Sequence, residues 1–502
     1  MTSGEMVQLS RLVEGLPVAW AGDPQVGESL DISGISYDSR RVESGDLFVA
    51  WTGEEFDGMR FAADAAGRGA VAVLGESCED ARVPCLRAKE PRRLLGPLAS
   101  RLYGHPDREL LFVGVTGTNG KTTVVSLIAA LLEAAGRPAA SFGTLGYSFG
   151  ELDFAGYAAF PERRTTPEAS DLFRMLRGAQ DAGARAAVME VSSHALSQGR
   201  VGCATYDLAV FLNLTRDHLD FHGDLEHYFE AKAALFQQLK QDGRGVINVD
   251  DEWGRRLAQL QPRALTFGDS GDVRYSRLEL SAQGISGTLE SPAGPIELAS
   301  PLLGEYNARN LLAAAAAGVA AGLDAAQIGS GLATLDPLPG RMQAVDCGQP
   351  FPVFVDFAHT DGALRAALAS MRSLGVQRVA VVVGCGGERD AGKRQLMGAV
   401  AAELADYAIL TSDNPRREDP ETILEQMEEG ARDVPGARYE VIVDRRDAIR
   451  RAIAIARPGW SVLIAGKGHE RWQDLGDRRV EFVDADEVEK ALEAGFGSVP
   501  IE

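Results

Sequence analysis

The chain has 502 residues, of which 45% are hydrophobic and 25% are charged, so it carries enough apolar material for several domain cores. With 51 basic and 72 acidic side chains, its formal net charge is −21, which disfavours binding to nucleic acids and to anionic membrane surfaces. Composition therefore excludes fibrous and disordered chains and predicts a globular protein of about three domains.

Cysteine usage and the apolar segments both indicate a cytoplasmic protein. The five cysteines form no CxxC pair and are odd in number, so we expect neither a disulfide framework nor a cysteine zinc site. The longest apolar stretch, Leu311 to Leu323, is too short to span a bilayer of about 30 Å. The first residues carry no basic segment followed by an apolar run, so we expect no signal peptide. We also expect a monomer that inserts into no membrane.

Short apolar strands alternate with alanine-rich helical segments, a pattern typical of α/β domains with mostly parallel sheets. Gly45 to Ala50 and Ala70 to Leu74 are predicted strands, and Pro91 to Leu102 is a predicted helix. Helix-breaking residues at Gly104 to Pro106 and at Pro337 to Gly340 predict two boundaries. These boundaries divide the chain into domains at residues 1–108, 109–339 and 340–502.

The two later domains contain six further predicted strands. These are Leu110 to Val115, Ala186 to Val191, Leu208 to Leu212, Val379 to Val383, Tyr407 to Leu410 and Val462 to Ala465. The last three are each followed within a few residues by glycine or charged residues. Because ligands bind outside the carboxyl ends of the strands in open α/β sheets, we expect the site residues at these ends.

A glycine-rich loop between a predicted strand and a predicted helix is the strongest local signal. The sequence GVTGTNGKTT, Gly114 to Thr123, precedes the predicted helix Val124 to Ala135, although Val115 stands where the common phosphate-loop pattern has glycine. Free backbone N–H groups and the helix N-terminus suit phosphate oxygens. Lys121 would neutralise the β and γ phosphates, and Thr122 would ligate Mg²⁺. The predicted nucleotide contacts are Gly117, Thr118, Asn119, Gly120, Lys121, Thr122 and Thr123.

Two further segments of the middle domain carry groups that could bind a metal. Glu190 ends a predicted apolar strand, where its carboxylate would suit Mg²⁺. The segment Asn213 to Tyr228 contains His218, His222 and His227, which could by themselves be zinc ligands, because the first two lie four residues apart. No HExxH motif and no thiolate accompany them, so the nearby phosphate loop favours Mg²⁺. A solvated polar turn is the simpler interpretation of His222 and His227.

The segments TGTNGKTT, MEVSSHAL and NLTRDHLDFHG, together with Glu230 to Lys232, resemble signatures of the Mur ligases. These ATP-dependent enzymes of peptidoglycan precursor synthesis join an amino acid to a UDP-sugar peptide, and the resemblance covers nearly the whole chain. It implies an α/β fold of three domains: an N-terminal UDP-binding domain, a central ATPase-type domain with a parallel sheet, and a C-terminal Rossmann-like domain.

The resemblance also assigns roles in the middle domain. It implies that Lys121, Glu190, His218 and Lys232 are catalytic, and that Thr122, Glu190, His218 and a carbamylated Lys232 bind Mg²⁺. A physical reason exists for the carbamate, since an unmodified ammonium would repel Mg²⁺ whereas CO₂ addition creates an oxygen ligand. Family positions that contact ATP match Asn307, Asn310, Arg341, Asp356 and His359. Phe357 and Asp361 replace the tyrosine and proline of the family pattern VDYAHTPD.

Two substrate sites follow from the same resemblance. The UDP-sugar dipeptide would be held by Ser39, Thr165, Thr166, Ser192, Gln198 and Arg200. The amino acid would be held by Arg389, Asp413, Asn414, Pro415, Arg416, Gly466 and Glu470. A pocket with arginines and carboxylates suits a ligand that has both carboxylate and ammonium groups.

The Asp-Asn-Pro-Arg quartet that ends at Arg416 resembles that of enzymes adding meso-diaminopimelate, whereas enzymes for L-lysine lack this arginine. A site built to pair with a polar group rejects an analogue lacking it by about 10⁴-fold. The resemblance therefore implies ligation of meso-diaminopimelate to UDP-N-acetylmuramoyl-L-alanyl-D-glutamate (the UDP-MurNAc-dipeptide) through an acyl phosphate. We also expect the last domain to close over the middle one.

Several alternatives stay open. The chain could be an L-lysine-adding ligase or another amide ligase, such as a folylpolyglutamate synthetase. A P-loop NTPase switch without ligation would leave Arg389, Arg416 and Glu470 without a role. A zinc hydrolase built on the histidines would need no ATP.

Overall fold

The structure, a computed structural model, describes residues 6–496 apart from 22, 24, 26, 28, 54–56, 80, 155 and 157–163. In this part of the chain there are three larger β-sheets of five, eight and six strands and three smaller ones. The larger sheets follow one another along the chain, and most of their strands are parallel. The predicted α/β class is therefore confirmed, while the domain bounds themselves stay a prediction.

The first sheet lies near the N-terminus. The strands of this region are β1 (Val7–Gln8), β2 (Ala19–Ala21), β3 (Asp31–Ile32), β4 (Gly34–Ser36), β5 (Asp46–Val49), β6 (Ala72–Gly75) and β7 (Cys85–Arg87), and its helices are Leu9–Val13, Ala62–Arg68, Pro91–Leu102 and Pro106–Glu109. The sheet has the order β2-β7-β6-β5-β4, with β2 antiparallel to β7. The predicted helix Pro91 to Leu102 is confirmed. Proline suits its first turn, because the N–H group that proline lacks would have no partner within the helix.

Cys78 and Cys85 form a disulfide, with their Cα atoms 5.9 Å apart. The prediction that the cysteines form no disulfide is therefore wrong for this pair. The chain returns after β6 to add β7 beside it, where Cys85 pairs with Val73, and the loop between the two strands brings Cys78 back to Cys85. Such a return depends on sheet register, which cysteine spacing alone does not show.

The eight-stranded sheet forms the centre of the molecule. Its strands are β8 (Leu111–Thr116), β9 (Ala139–Gly143), β10 (Gly146–Phe149), β11 (Leu152–Asp153), β12 (Ala186–Glu190), β13 (Tyr206–Phe211), β14 (Leu239–Asn248) and β15 (Leu265–Phe267). Helices of this region are Lys121–Ala134, Ala169–Asp181, Ser193–Ser197, Leu219–His222, Leu225–Ala233 and Glu252–Leu260. The order is β11-β10-β9-β12-β8-β13-β14-β15, so β8 lies between β12 and β13.

A small antiparallel sheet and two helices follow. They are β16 (Arg274–Ser281), β17 (Gly284–Glu290), β18 (Ile296–Ser300) and the helices Glu305–Ala320 and Ala325–Leu332. Alternate residues of the central strands are buried on both faces: Phe112 belongs to one core cluster and Val113 to another. Burial on both faces explains why these strands read as continuous apolar runs.

The six-stranded sheet forms the last part of the chain. Its strands are β19 (Gln343–Ala344), β20 (Val353–Asp356), β21 (Arg378–Val383), β22 (Tyr407–Leu410), β23 (Tyr439–Val441) and β24 (Trp460–Ala465), followed by the hairpin β25 (Trp472–Asp474) and β26 (Arg479–Glu481). The helices are Asp361–Ser373, Gly392–Leu404, Pro420–Arg432, Arg445–Ile455 and Asp484–Ala494. The order is β19-β20-β24-β21-β22-β23. Among the described residues, no helix is long and apolar enough to cross a membrane.

Candidate active site

A cavity of about 660 Å³ opens where the carboxyl ends of the central and last sheets face each other. From the central part it is lined by Lys121, Thr122, Glu190, His218 and Asn310, and from the last part by Arg389, Asp413, Asn414, Arg416, Gly466 and Glu470. Predicted nucleotide contacts and predicted amino-acid contacts thus share one space. This arrangement could bring a phosphorylated intermediate close to an attacking amine.

The glycine-rich loop follows β8 directly, and its helix begins at Lys121, three residues before the predicted start. Gly120 allows this early start because it adopts φ = +89°, and a Cβ there would lie 2.5 Å from Asn310 Oδ1. Lys121 Nζ donates hydrogen bonds of 2.9 Å to the carbonyl oxygens of both Gly117 and Thr118. Burial lowers the pKa of Lys121, because the charged ammonium loses its contact with water. The negative charge of a bound phosphate would offset this loss.

Lys232 lies behind this loop and is 1% exposed. Its Nζ donates to Gly117 O at 2.9 Å and lies 4.5 Å from the centre of the Tyr228 ring. Burial, followed by the nearby charge of Lys121, holds the pKa of Lys232 well below its usual range. This shift favours the neutral amine, the form that reacts with CO₂.

Glu190 ends β12 with its carboxylate almost fully buried. It accepts hydrogen bonds from the backbone N–H of Thr144 at 2.7 Å and from Thr144 Oγ1 at 3.2 Å. Across the cavity, Arg341 Nη2 donates to Thr122 Oγ1 at 3.1 Å, and the guanidinium lies 4.6 Å from the Phe357 ring centre. Phe357, which replaces the family tyrosine, thus supports Arg341 with its ring face.

Asp356, which lines the cavity, and Asn307, which does not, both hold neighbouring residues of the cavity wall in place. Asp356 accepts the backbone N–H of Met342 at 2.7 Å, which fixes the turn that carries Arg341. Asn307 is 1% exposed and accepts a hydrogen bond from Asn310 Nδ2 at 3.0 Å. Asn310, rather than Asn307, therefore faces the phosphate loop.

His218 lies at the start of the short helix Leu219–His222 with φ = +55°. Burial lowers the pKa of His218 to about 3, so its ring is neutral near pH 7. His222 Nε2 lies 2.9 Å from Ser193 Oγ, and the exposed His227 lies 2.8 Å from Asp224 Oδ1. These two histidines make local polar contacts.

Asp217, which sequence reasoning did not single out, joins the central and last parts of the chain. Its carboxylate oxygens lie 3.3 Å from His218 Nε2, 3.8 Å from His359 Nε2 and 3.8 Å from Lys393 Nζ. Burial raises the pKa of Asp217, but the histidines and Lys393 together hold it below the usual range. Lys393 also escaped the sequence reasoning. In the sequence, Asp217 is marked only by its position beside His218, and Lys393 only by its place in a charge-rich segment.

Five of the six predicted sugar-peptide contacts lie together at one end of the cavity, and two of them, Thr165 and Ser192, line it. Arg200 donates to Gln198 Oε1 at 2.9 Å and to Thr166 O at 3.2 Å, while the backbone N–H of Ser192 donates to Thr166 Oγ1 at 3.0 Å. Thr165 Oγ1 lies 3.2 Å from Thr144 Oγ1, next to Glu190. Ser39 is buried at the start of a 3₁₀ turn in the first part of the chain.

Glu168, another residue that sequence reasoning missed, organises this cluster. Its carboxylate, 2% exposed, lies 2.8 Å from Arg92, 2.5 Å from Arg164 and 3.4 Å from Arg200. Three guanidinium groups around one carboxylate leave an excess of positive charge. The arrangement suits an anionic substrate despite the acidic chain.

The predicted amino-acid pocket combines both signs of charge. Asn414 Nδ2 donates to Glu470 Oε2 at 2.7 Å, and the fully buried Lys467 Nζ donates to Asn414 Oδ1 at 3.1 Å. Arg416 has φ = +52° and donates to Gly387 O at 2.6 Å. Burial, followed by the charge of Arg416, lowers the pKa of Arg389. The two guanidinium groups therefore lie close enough to interact, and both line the cavity.

Pro415 and Gly466 shape the turns around this pocket. The carbonyl of Pro415 accepts the backbone N–H of Glu418 at 3.1 Å, and Gly466 has φ = +113°. A Cβ at Gly466 would lie 2.7 Å from Asp413 Oδ2, so the absence of a side chain lets this carboxylate approach the strand end.

Three family models match the chain. "Mur ligase family, catalytic domain" matches residues 31–103, "Mur ligase middle domain" matches residues 115–318, and "Mur ligase, glutamate ligase domain" matches residues 340–468. A relative from Solibacter usitatus, named UDP-N-acetylmuramoyl-L-alanyl-D-glutamate--2,6-diaminopimelate ligase, is 44% identical over 481 residues, which cover 94% of this chain and 96% of the relative.

Solved structures give a similar result. One structure of a UDP-N-acetylmuramoyl-L-alanyl-D-glutamate--2,6-diaminopimelate ligase is 35% identical with a TM-score of 0.66, covering 97% of this chain and 99% of that one. A UDP-N-acetylmuramoylalanyl-D-glutamyl-2,6-diaminopimelate--D-alanyl-D-alanyl ligase from Acinetobacter baumannii is 21% identical with a TM-score of 0.69, covering 98% of this chain and 100% of that one. The second likeness concerns the fold alone.

Proposed function

Because the chain belongs to the Mur ligase family, we propose that it is the ATP-dependent ligase that adds meso-diaminopimelate to UDP-N-acetylmuramoyl-L-alanyl-D-glutamate in peptidoglycan precursor synthesis. The observation that carries the proposal is the shared cavity, in which the phosphate loop faces a pocket containing both Arg416 and Glu470. The names of the relatives, which specify this substrate pair, support it.

The proposed reaction has two steps. First, the side-chain carboxylate of the D-glutamate residue attacks the γ-phosphorus of ATP, forming an acyl phosphate while the bond to the β-phosphate oxygen breaks and ADP leaves. Then the amine of diaminopimelate attacks the acyl carbon, forming the C–N bond while the C–O bond to phosphate breaks. The amine loses its proton to solvent. The chain's main task is to hold acid, nucleotide and amine in line.

Each group of residues has a part in that task. Lys121 and the loop N–H groups would hold the β and γ phosphates, and Asn310 and Arg341 would line the nucleotide side. Arg200, supported by Gln198 and Glu168, would hold the nucleotide-sugar peptide next to Glu190. Preorganised positive charge in a partly closed cavity stabilises the charge that develops during phosphoryl transfer.

The residues present fit Mg²⁺. Thr122 and Glu190 offer hard oxygen donors, and His218 has a neutral ring; all three line the same cavity. Bound Mg²⁺ would neutralise phosphate charge. We also propose that Lys232 carries a carbamate, because burial of its side chain favours the neutral amine that reacts with CO₂. A carbamate carbon signal from enzyme prepared in ¹³C-bicarbonate, missing from Lys232→Met, tests this modification.

Amine preference is the sharpest test of the proposed function. Purified enzyme with ATP, Mg²⁺ and the UDP-MurNAc-dipeptide should release phosphate when given meso-diaminopimelate, and at least about 10³-fold less efficiently with L-lysine. Arg416→Ala should lower kcat/KM for meso-diaminopimelate by about 10²-fold or more, with little change in ATP binding.

Arg417→Ala, at the exposed neighbouring position, is the matched control and should keep the wild-type preference. Preference for L-lysine would contradict the role of Arg416 and favour the lysine-adding ligase. Phosphate release that does not depend on any amino acid would contradict ligation and favour an NTPase switch.

We further propose that the enzyme is a monomer. We also propose that it works in the cytoplasm, where ATP and the nucleotide-linked substrate are available. In support, the described residues of one chain line both the nucleotide side and the amine side of the cavity. A sedimentation mass of two chains would contradict the monomer.

A further inference from the structure

Lys393 is a buried cation that the proposed mechanism has not used. It is 6% exposed and is the second residue of the helix Gly392–Leu404, whose N-terminal end faces the cavity. In the described part of the chain its one acidic partner is Asp217, at 3.8 Å from Nζ, which is too long for a hydrogen bond. A buried ammonium with such weak compensation is costly, unless a ligand supplies an anion.

The position of Lys393 lies between the two substrate pockets. On one side, the carboxylate of Asp217 also acts electrostatically on Lys121 of the phosphate loop. On the other side, the charge of Lys393 acts on Cys385, which follows β21 in the same loop as Arg389. Both Lys393 and Cys385 line the cavity. A group in this place faces the region where phosphate transfer and amine attack must meet.

We infer that Lys393 is a further catalytic residue, whose ammonium contacts the phosphoryl group of the acyl phosphate and follows that group as it leaves. This inference rests on the proposed function. When the amine nitrogen bonds to the acyl carbon, the C–O bond breaks and its electron pair stays on the phosphate oxygen. Lys393 offsets the negative charge on that oxygen and keeps its own proton. The positive end of the Gly392–Leu404 helix acts in the same direction.

Lys393→Met and Lys393→Arg test the inference by separating kcat from KM. The first variant removes the charge at similar length, and we expect it to lower kcat for ligation by about 10²–10³-fold, the usual loss for one preorganised electrostatic contact. Its KM values for ATP and for meso-diaminopimelate should stay within about threefold of wild type, since neither ground-state site is removed. Lys393→Arg should recover at least about tenfold in kcat.

Lys490→Met is the matched control, because Lys490 is exposed and, among the described residues, its ion pair is with Glu487, three residues earlier in the same helix. It should keep wild-type kinetics. If the Asp217–Lys393 pair serves only to hold the two parts of the chain together, Lys393→Met will raise the KM of every substrate while kcat changes little, and the inference is overturned. An unchanged kcat overturns it as well.

The outcome can be separated from that of the proposed function. A wild-type enzyme without ligation activity contradicts the proposed function, whereas a ligating wild type matched by Lys393→Met contradicts only this inference. Thermal unfolding of each variant shows whether it is folded. If Lys393→Met does not fold, Lys393→Arg decides: reduced kcat with unchanged KM supports the phosphoryl contact, and wild-type kcat with raised KM contradicts it.

Discussion

Asp46 is a buried carboxyl group whose ionisation should control the pH dependence of stability in the first part of the chain. It begins β5, and its Oδ2 accepts the backbone N–H of Glu43 at 2.9 Å. Burial is the main cause that raises its pKa from 3.8 to about 6, although the hydrogen bond from Glu43 opposes the shift. The folded state therefore binds the proton more tightly than the unfolded state does.

The sign of the effect follows from proton linkage. Stability from protonated Asp46 is fully present below about pH 4 and is lost as the pH rises through about 6. Since one pKa unit corresponds to about 1.4 kcal/mol, the loss reaches about 3 kcal/mol. Asp46→Asn, which stays neutral, should remove most of this dependence.

Urea unfolding at pH 4 and pH 7.5 measures the effect near Asp46 when it is followed by tryptophan fluorescence in a background that keeps Trp20 and Trp51 and replaces the other three tryptophans by Phe. Asp31→Asn, at an exposed position of β3, is the matched control and should keep the wild-type pH dependence. Equal pH dependence in wild type and Asp46→Asn would contradict the prediction.

At the residue scale, a candidate site is easiest to recognise in the sequence where one short segment holds the whole arrangement. The loop from Gly117 to Thr123 could be recognised because its glycines, lysine and threonines are adjacent to a strand and a helix. Asp217 and Lys393 could not be paired in this way, since their contact joins distant parts of the chain. Glu168 was missed for the same reason, because two of its three arginine partners, Arg92 and Arg200, come from other segments of the chain.

At the scale of elements, the helices Gly392–Leu404 and Pro420–Arg432 pack unusually closely. A Cβ at Gly398 would overlap the carbonyl oxygen of Met427, and one at Gly430 would overlap that of Gln395. Backbone carbonyl groups cannot move aside as flexible side chains can. The two glycines therefore set the distance between the helix that carries Lys393 and its neighbour.

Gly398→Ala should lower the free energy of unfolding by about 1–3 kcal/mol, the usual cost of overpacking. The matched control is Gly67→Ala in the helix Ala62–Arg68, where a Cβ would meet no atom within 4 Å. This control should gain about 0.5–1 kcal/mol from helix propensity. Urea unfolding of both variants measures the difference, and a Gly398→Ala variant as stable as wild type would contradict the close packing.

Elements were predicted well where burial dominates. The strands β8, β12, β13, β21, β22 and β24 lie within two residues of their predicted bounds, because strands buried on both faces are continuous apolar runs. The small sheet of β16, β17 and β18 was not predicted. Its first strand is mostly exposed, so the sequence there shows no apolar run or strict alternation.

At the scale of the whole molecule, the net charge of −21 and the binding of anionic substrates are compatible. Cations are concentrated at the strand ends, where Lys121, Arg341, Lys393, Arg389 and Arg416 all line one cavity. A field of negative surface charge favours solubility, while local cations in a partly closed space decide what binds. The overall charge excluded nucleic acid from consideration but could not locate the site.

Polar contacts connect the central and last parts of the chain around this cavity. Arg216 Nε lies 3.4 Å from Asp390 Oδ2, and Arg341 of the last part donates to Thr122 of the phosphate loop at 3.1 Å. Both contacts involve groups next to predicted substrate positions. Substrate binding and the relative position of the two parts should therefore be coupled.

We expect that an ATP analogue and the nucleotide-sugar peptide together lower the radius of gyration measured by small-angle X-ray scattering, as the last part closes over the centre. Arg216→Ala removes the ion pair with Asp390, so the ligand-free radius should rise and more ligand should be needed for the same decrease. Arg450→Ala is the matched control, because it breaks an exposed ion pair with Asp447 within one helix. A radius unaffected by both ligands would contradict closure. Equal behaviour of the two variants would show that Arg216 does not bias it, since a surface pair within one helix cannot couple two domains.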